Sequence, residues 1–151
     1  MDSVDIKILS CLRENARQNA SVIGEKVKMS VSAVIERIRK MEANGIIQQY
    51  TVLLDNKLIG KGISAFISVS LEHPKYNDAF TQSIMKNEQI VECHYMAGDF
   101  DYMLKVVASS TEELTQILGE VKAMHGVSLT KTLVILSTVK NNPAVLPEIG
   151  K

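Results

Sequence analysis

The chain has 151 residues, a hydrophobic fraction of 46% and seventeen basic against seventeen acidic side chains, so its formal net charge is zero. That length suits one domain or two small ones, the apolar content is too high for a disordered segment, and no overall positive charge draws the chain to nucleic acid. Any charge-based function must be local: within residues 1–50 eight basic side chains face six acidic ones, a local +2.

No apolar run approaches the roughly 18–20 residues that span a bilayer, and the N-terminus lacks the basic and apolar regions of a secretory signal, so a cytoplasmic protein is expected. Cys11 and Cys93 lack CxxC spacing and sit among apolar neighbours. They are expected to be reduced core or near-core residues. His73, His94 and His125 form no metal-binding spacing, so neither a metal nor another cofactor is expected.

In residues 4–15, Ile8, Leu9 and Leu12 recur at helical spacing, with Ile6 flanking and Asp5 near the start, where the helix dipole favours an acid. Asn19 can cap a second short helix that carries Ile23 and Val27. Only Lys28 and Met29 separate that helix from Ser30, so the chain must turn sharply. Ser30 is a good N-cap for a third helix with Val31, Val34, Ile38 and Met41 on one side and Ile35 at its edge. The opposite side holds Ser32, Glu36, Arg39 and Lys40. Gly45 suits a left-handed stop, and Ile46, Ile47, Tyr50 and Val52 then read as extended.

After the break LIGKG the period changes. Ile63, Ala65, Ile67, Val69 and Leu71 alternate with Ser64, Phe66, Ser68 and Ser70, which is a strand. Pro74 opens a helix to about Lys86 that buries Phe80 and Ile84. Residues 90–97 and 102–108 read as strands around the turn GDFD, with Gly98 able to take positive φ. Ser110 and Glu113 have capping-box spacing ahead of a helix with Leu114, Ile117, Leu118 and Val121. Gly126 ends that helix, and residues 127–139 form a last strand.

The second half is thus βαββαβ, the ferredoxin-like arrangement of four antiparallel strands with two helices on one face. Alternation puts Ser64, Phe66, Ser68, Glu92, His94, Met96, Met103, Lys105, Val107, Thr130, Thr132, Val134 and Leu136 on the other face. Such a mixed surface suits packing against a second copy.

These residues, in this order, resemble the Lrp/AsnC (feast/famine) family of transcriptional regulators along nearly the whole chain. The likeness rests on Asp2, Asp5 and Ile8-Leu9; on Asn15-Ala16-Arg17; on Ser30 to Val34 with Arg37, Met41-Glu42 and Gly45-Ile46-Ile47; on Tyr50, Leu54-Asp55, Leu58 and Gly60; and on Cys93, Gly98, Asp99, Asp101, Tyr102 and Gly126-Val127. The resemblance implies an α+β protein with a helix-turn-helix (winged-helix-like) DNA-binding domain at 1–46 and a strand linker at 47–61. An effector-binding and dimerising domain would follow at 62–140, with an irregular extension at 141–151. It also implies double-stranded DNA with a pseudo-palindromic operator as partner, dimers assembling further to octamers, and an amino acid or related metabolite as effector near the glycine-aspartate turn. Gly98, Asp99, Asp101, Tyr102 and Met96 are then the expected effector residues, although turn chemistry alone also favours glycine and aspartate there. Two departures stand out: Val22-Ile23-Gly24 where Glu-Leu-Ala is usual, and Lys28 at a turn position where glycine is common.

A helix-turn-helix presents the N-terminal part of its second helix to base edges in the major groove. The expected DNA-binding residues are therefore Lys28, Ser30, Ser32, Ala33, Glu36, Arg37, Arg39 and Lys40. The serines and Ala33 would allow close approach, and the cations would reach phosphate or a guanine edge. Glu36 either accepts from a cytosine amine or pairs with Lys40 at i,i+4. An enzyme is not expected, since no nucleophile-base order or phosphate loop accompanies the fold. A ligand-binding oligomer without DNA binding is the alternative.

Overall fold

The computed structural model describes residues 1–148, in two compact units: Met1–Val52 with the segment from Lys140 onward, and Leu53–Val139. The first unit contains three helices, α1 (Ser3–Glu14), α2 (Ala20–Val27) and α3 (Val31–Ala43). Each contributes one stripe to a shared core in which Ile8, Ile23 and Val34 are fully buried, with Cys11 and Met41 beside them. Burying such an aliphatic side chain contributes about 1.5–3 kcal/mol, which is what holds helices this short in place.

The connections use local polar groups. Asn15 Oδ1 accepts from the Arg17 N–H, and the Gln18 side chain donates to the Cys11 carbonyl, closing the end of α1. Asn19 stands at the N-cap of α2 but makes no side-chain cap bond. Gly24 is required by proximity: a Cβ there would lie 2.7 Å from the Met29 carbonyl oxygen. Gly45 ends α3 at φ +69°, as its position after the apolar stripe suggests. Val31, expected on the apolar side, is exposed because it occupies the first turn, beyond the reach of α1 and α2.

The extended segment after α3 does not form a strand. Between Gly45 and Ile63 the backbone is irregular, with a turn at 56–60 closed by Asp55 Oδ1 accepting from Lys57 and Leu58 N–H. A strand exists only when its backbone groups find a ladder partner, and apolar content alone does not supply one. Tyr50 donates its hydroxyl to Glu42 Oε1 at 2.8 Å; burial, with help from that bond, pushes its pKa up to about 12.

The second unit is the expected βαββαβ arrangement: β1 (Ile63–Leu71), α4 (Asn77–Ile84, entered through a 3-10 turn at Pro74–Tyr76), β2 (Ile90–Tyr95), β3 (Tyr102–Ala108), α5 (Thr111–Ala123) and β4 (Val127–Val134). The sheet is antiparallel in the order β2-β3-β1-β4. Its inner face packs Ala65, Ile67, Val69, Leu104 and Val106 against Phe80 and Ile84 of α4 and Leu114, Ile117 and Val121 of α5. Gly126 has φ +87°, and a Cβ there would collide with the Tyr76 ring, so both backbone and packing demand glycine.

Three sequence expectations change here. Only half of the capping box forms on α5: Ser110 Oγ accepts from Glu113 N–H, while the Glu113 carboxylate turns to Ser109 and Lys61. β4 is shorter than expected, ending at Val134. Its alternation is also inverted. A register shift between Ser70 and Leu71 sets Leu71 opposite Val127 but Ser70 opposite Leu129, so Leu129, Lys131 and Leu133 share the outer face with Ser70, Ser68 and Phe66. Thr130, Thr132 and Val134 lie on the helix side instead. One bulged residue flips every later side chain, which period-two reading cannot anticipate.

Candidate DNA-binding surface and ligand-binding unit

The two helices α2 and α3 meet through Lys28, whose φ of 56° and ψ of 51° make it the one non-glycine residue with positive φ among the described residues. Ser30 caps α3, its Oγ accepting from Ala33 N–H and lying 3.1 Å from Ser32 Oγ. Behind this end, Val34 and Met41 anchor the buried side. Ser30, Ser32, Glu36, Arg39 and Lys40 are exposed, and Ala33 is half-buried. Donors, an acceptor and two cations are thereby presented from one side of a rigid helix. The helix N-terminus adds a positive dipole end beside them.

Arg37 is different. Its Nη1 donates to Asp2 Oδ2 at 2.8 Å and to Asp5 Oδ1 at 2.7 Å, tying the middle of α3 to the first turn of α1. The guanidinium expected to reach phosphate or a guanine edge is held here by two carboxylates. Among the described residues no ion pair joins Glu36 to Lys40, so of the two readings for Glu36 the i,i+4 pairing is not formed, and both residues are exposed.

In the second unit Gly98 takes φ +146°, and the turn it opens is exposed at Gly98 and Asp99. Asp101 is engaged by the fold: its Oδ2 accepts from Leu71 N–H at 2.7 Å, its N–H donates to the Val69 carbonyl at 3.0 Å, and its own carbonyl accepts from Met96 N–H at 2.8 Å. Tyr102, expected at the effector, is a core residue, 5% exposed, with its ring 4.9 Å from Phe80 and 5.2 Å from Tyr95. Burial raises the pKa of its hydroxyl. Met96 is half open at the edge of the turn. The structure thus brings Met96, Gly98, Asp99 and Asp101 together and assigns Asp101 and Tyr102 structural duties there.

Sequence reasoning missed Asp2 as a partner of α3. Asp2 and Asp5 at N-cap and N3 spacing signal a capping box, which the structure contains, but the reach to Arg37 is tertiary. It also missed Glu113, which gathers Lys61 Nζ at 2.7 Å, Gln89 Nε2 at 3.4 Å and both the N–H and Oγ of Ser109.

Residues 1–42 match the AsnC-type helix-turn-helix domain, and residues 64–145 match the Lrp/AsnC ligand binding domain. The chain belongs to the Lrp/AsnC family. The leucine-responsive regulatory proteins of Klebsiella pneumoniae and Escherichia coli (strain K12) are each 32% identical over 145 residues, covering 94% of this chain and 88% of theirs. A transcriptional regulator from Neisseria meningitidis, solved in complex with L-methionine, superimposes with a TM-score of 0.91 at 28% identity over 96% of both chains. A feast or famine regulatory protein from M. tuberculosis, also complexed with L-methionine, gives 0.90 at 26% identity over 97% of this chain and 99% of that one. This Lrp/AsnC chain is accordingly a transcriptional regulator built from a DNA-binding helix-turn-helix and a ligand-binding domain. Among the described residues no helix is long and apolar enough to cross a membrane.

Proposed function

We propose that this Lrp/AsnC regulator works in the cytoplasm by binding rather than catalysis, gripping a pseudo-palindromic duplex through α3 of each subunit in a homodimer that assembles further, to an octamer. Ser30, Ser32, Ala33 and Glu36 meet base edges, while Lys28, Arg39 and Lys40 meet phosphate. An amino acid of the methionine or leucine type, held near Met96, Gly98, Asp99 and Asp101, shifts the assembly or its DNA affinity. The observation that carries this reading is the Ser30-capped end of α3, with Ser32, Glu36, Arg39 and Lys40 exposed on one side while Val34 and Met41 fix the other. The methionine complexes of the two solved relatives support the effector class.

Assembly is supported by the outer sheet face. It exposes Leu133 opposite Phe66 and Leu129 opposite Ser70, with Glu92 bridged to Lys105 at 2.8 Å. A single helix-turn-helix makes few contacts, so two per complex are needed for useful specificity.

The test is fluorescence anisotropy with the duplex upstream of the protein's own coding sequence and a random duplex, across salt concentrations, with and without a panel of amino acids. Arg39→Ala and Lys40→Ala are each expected to weaken binding to both duplexes and to lower the salt slope by about one. At least one amino acid should move operator affinity. No binding to either duplex would favour a ligand-binding oligomer that has left DNA recognition behind.

A further inference from the structure

Arg37 lies on the helix that carries the DNA-facing residues, yet its charge is already matched. Each oxygen of its two partners has a donor: Asp2 Oδ1 accepts from Val4 and Asp5 N–H at 2.9 Å, Asp5 Oδ2 from Asp2 N–H at 2.8 Å, and Asp2 Oδ2 and Asp5 Oδ1 from Arg37. The guanidinium closes a reciprocal capping box across more than thirty residues of sequence. The Arg37–Asp5 half differs from a solvated surface pair, because the Asp5 side chain is only 14% exposed and that of Arg37 30%, whereas Asp2 is 53% exposed. A concavity beside Ala33 is bounded by the carboxylates of Asp2, Asp5 and Glu36 and by Arg37, Lys40 and the amino-terminal Met1, so acids and cations alternate along its wall.

We propose that Arg37 is a positioning residue and not a phosphate contact: it locks α3 to the first turn of α1, and Asp2 and Asp5 withhold its charge from the DNA backbone. This inference rests on the reading of α3 as the DNA-facing helix. A phosphate that drew Arg37 away would leave two carboxylates with one cation fewer on the surface nearest the DNA. The clamp thereby restricts how α3 can sit on a duplex. Discrimination between sequences then depends on the orientation that the clamp enforces, and general affinity comes from Arg39 and Lys40.

Salt titrations of the full-length protein on operator and random duplexes separate the two roles, since each phosphate neutralised contributes about 0.9 to the slope of log affinity against log salt. Arg37→Ala is expected to keep the wild-type slope but to lose about tenfold in preference for operator over random duplex, with partial recovery in Arg37→Lys. Asp2→Asn with Asp5→Asn keeps capping groups while freeing Arg37, so random-duplex affinity should rise several-fold and the slope steepen by about one. A slope that falls by about one in Arg37→Ala and returns in Arg37→Lys overturns the proposal. Urea unfolding of DNA-free Arg37→Ala, Asp5→Ala and the double variant provides an independent arm. Non-additive midpoints support the clamp, and additive ones overturn it whatever the DNA does. If Arg39→Ala and Lys40→Ala leave the slope unchanged while that coupling persists, the reading of α3 as DNA-facing fails and the clamp stands.

Discussion

The two units finish their apolar surfaces to different degrees. In the helical unit each of three helices has one buried stripe, and Ile8, Ile23 and Val34 meet in a shared core, with Val22, Val31 and Ile46 left exposed around it. A sheet has two faces, and α4 and α5 cover only one. The other carries Phe66, Leu129 and Leu133 with a charged margin of Glu92, Lys105 and His94. The helical unit presents charge and hydrogen-bonding groups on α3, as a DNA-binding module requires; the sheet leaves a face with apolar area exposed.

The largest expected effect breaks that contrast at the sheet. Leu129→Asp with Leu133→Asp places two carboxylates where the proposed dimer buries leucines, each leucine now being more than half exposed. Sedimentation should show loss of the dimer with an unchanged far-UV spectrum, and operator affinity should fall by about 100-fold because one recognition helix replaces two. An unchanged oligomeric state would show that the sheet's outer face is simply solvated.

How much of this was legible depended on how local each cause is. Helical stripes such as Val34, Ile38 and Met41, the Ser30 cap and the β1 alternation involve residues within a few positions of one another, and the structure contains all of them. The outer face of β4 was misassigned because the bulge between Ser70 and Leu71 is a property of two paired strands. The strand expected after α3 failed for a related reason, since a ladder needs a partner. Arg37 illustrates the same limit at the candidate site: its sequence position marks the DNA-facing helix, but its partners sit 32 and 35 residues away. The place of Tyr102 in β3, two residues from Leu104, already puts it on the core face, whereas its nearness to the Gly98 turn suggests the effector.

A middle-sized effect compares the carboxylates that tie each unit together. Lys61, followed by the hydroxyl and N–H of Ser109, holds the Glu113 carboxyl down to about 2, against an ordinary 4.5. Asp2 is lowered chiefly by the Asp5 N–H and then by Arg37, and Asp5 is lowered because the Asp2 N–H and Arg37 outweigh its burial. A lowered folded pKa means that the stabilisation is complete above the unfolded value and is lost as pH falls toward the folded one. Stability should therefore decline from about pH 4.5 toward pH 2. Glu113→Gln should lower stability near neutrality and flatten this decline, while Asp5→Asn should flatten only the part below its ordinary 3.8. Urea midpoints collected across that range measure both; a Glu113→Gln profile parallel to wild type would remove Glu113 from the acid response.

The smallest effect concerns how each unit meets a left-handed backbone. Gly126 does so in the second unit, where the Tyr76 ring excludes any side chain. The first unit uses glycine after α3, at Gly45, but Lys28 at φ 56° before it, an exposed position where nothing prevents glycine. A lysine in that conformation costs about 1 kcal/mol relative to glycine, partly offset by the greater entropy of glycine in the unfolded chain. Lys28→Gly should therefore stabilise the unit by roughly 0.5 kcal/mol, read as a higher urea midpoint. If the charge of Lys28 offsets the strain by meeting phosphate, the same variant must also bind DNA more weakly and with a salt slope lower by about one. Higher stability with unaltered affinity and slope would leave the strain without a function in DNA binding, and the contrast between the two units would reduce to side-chain packing around their turns.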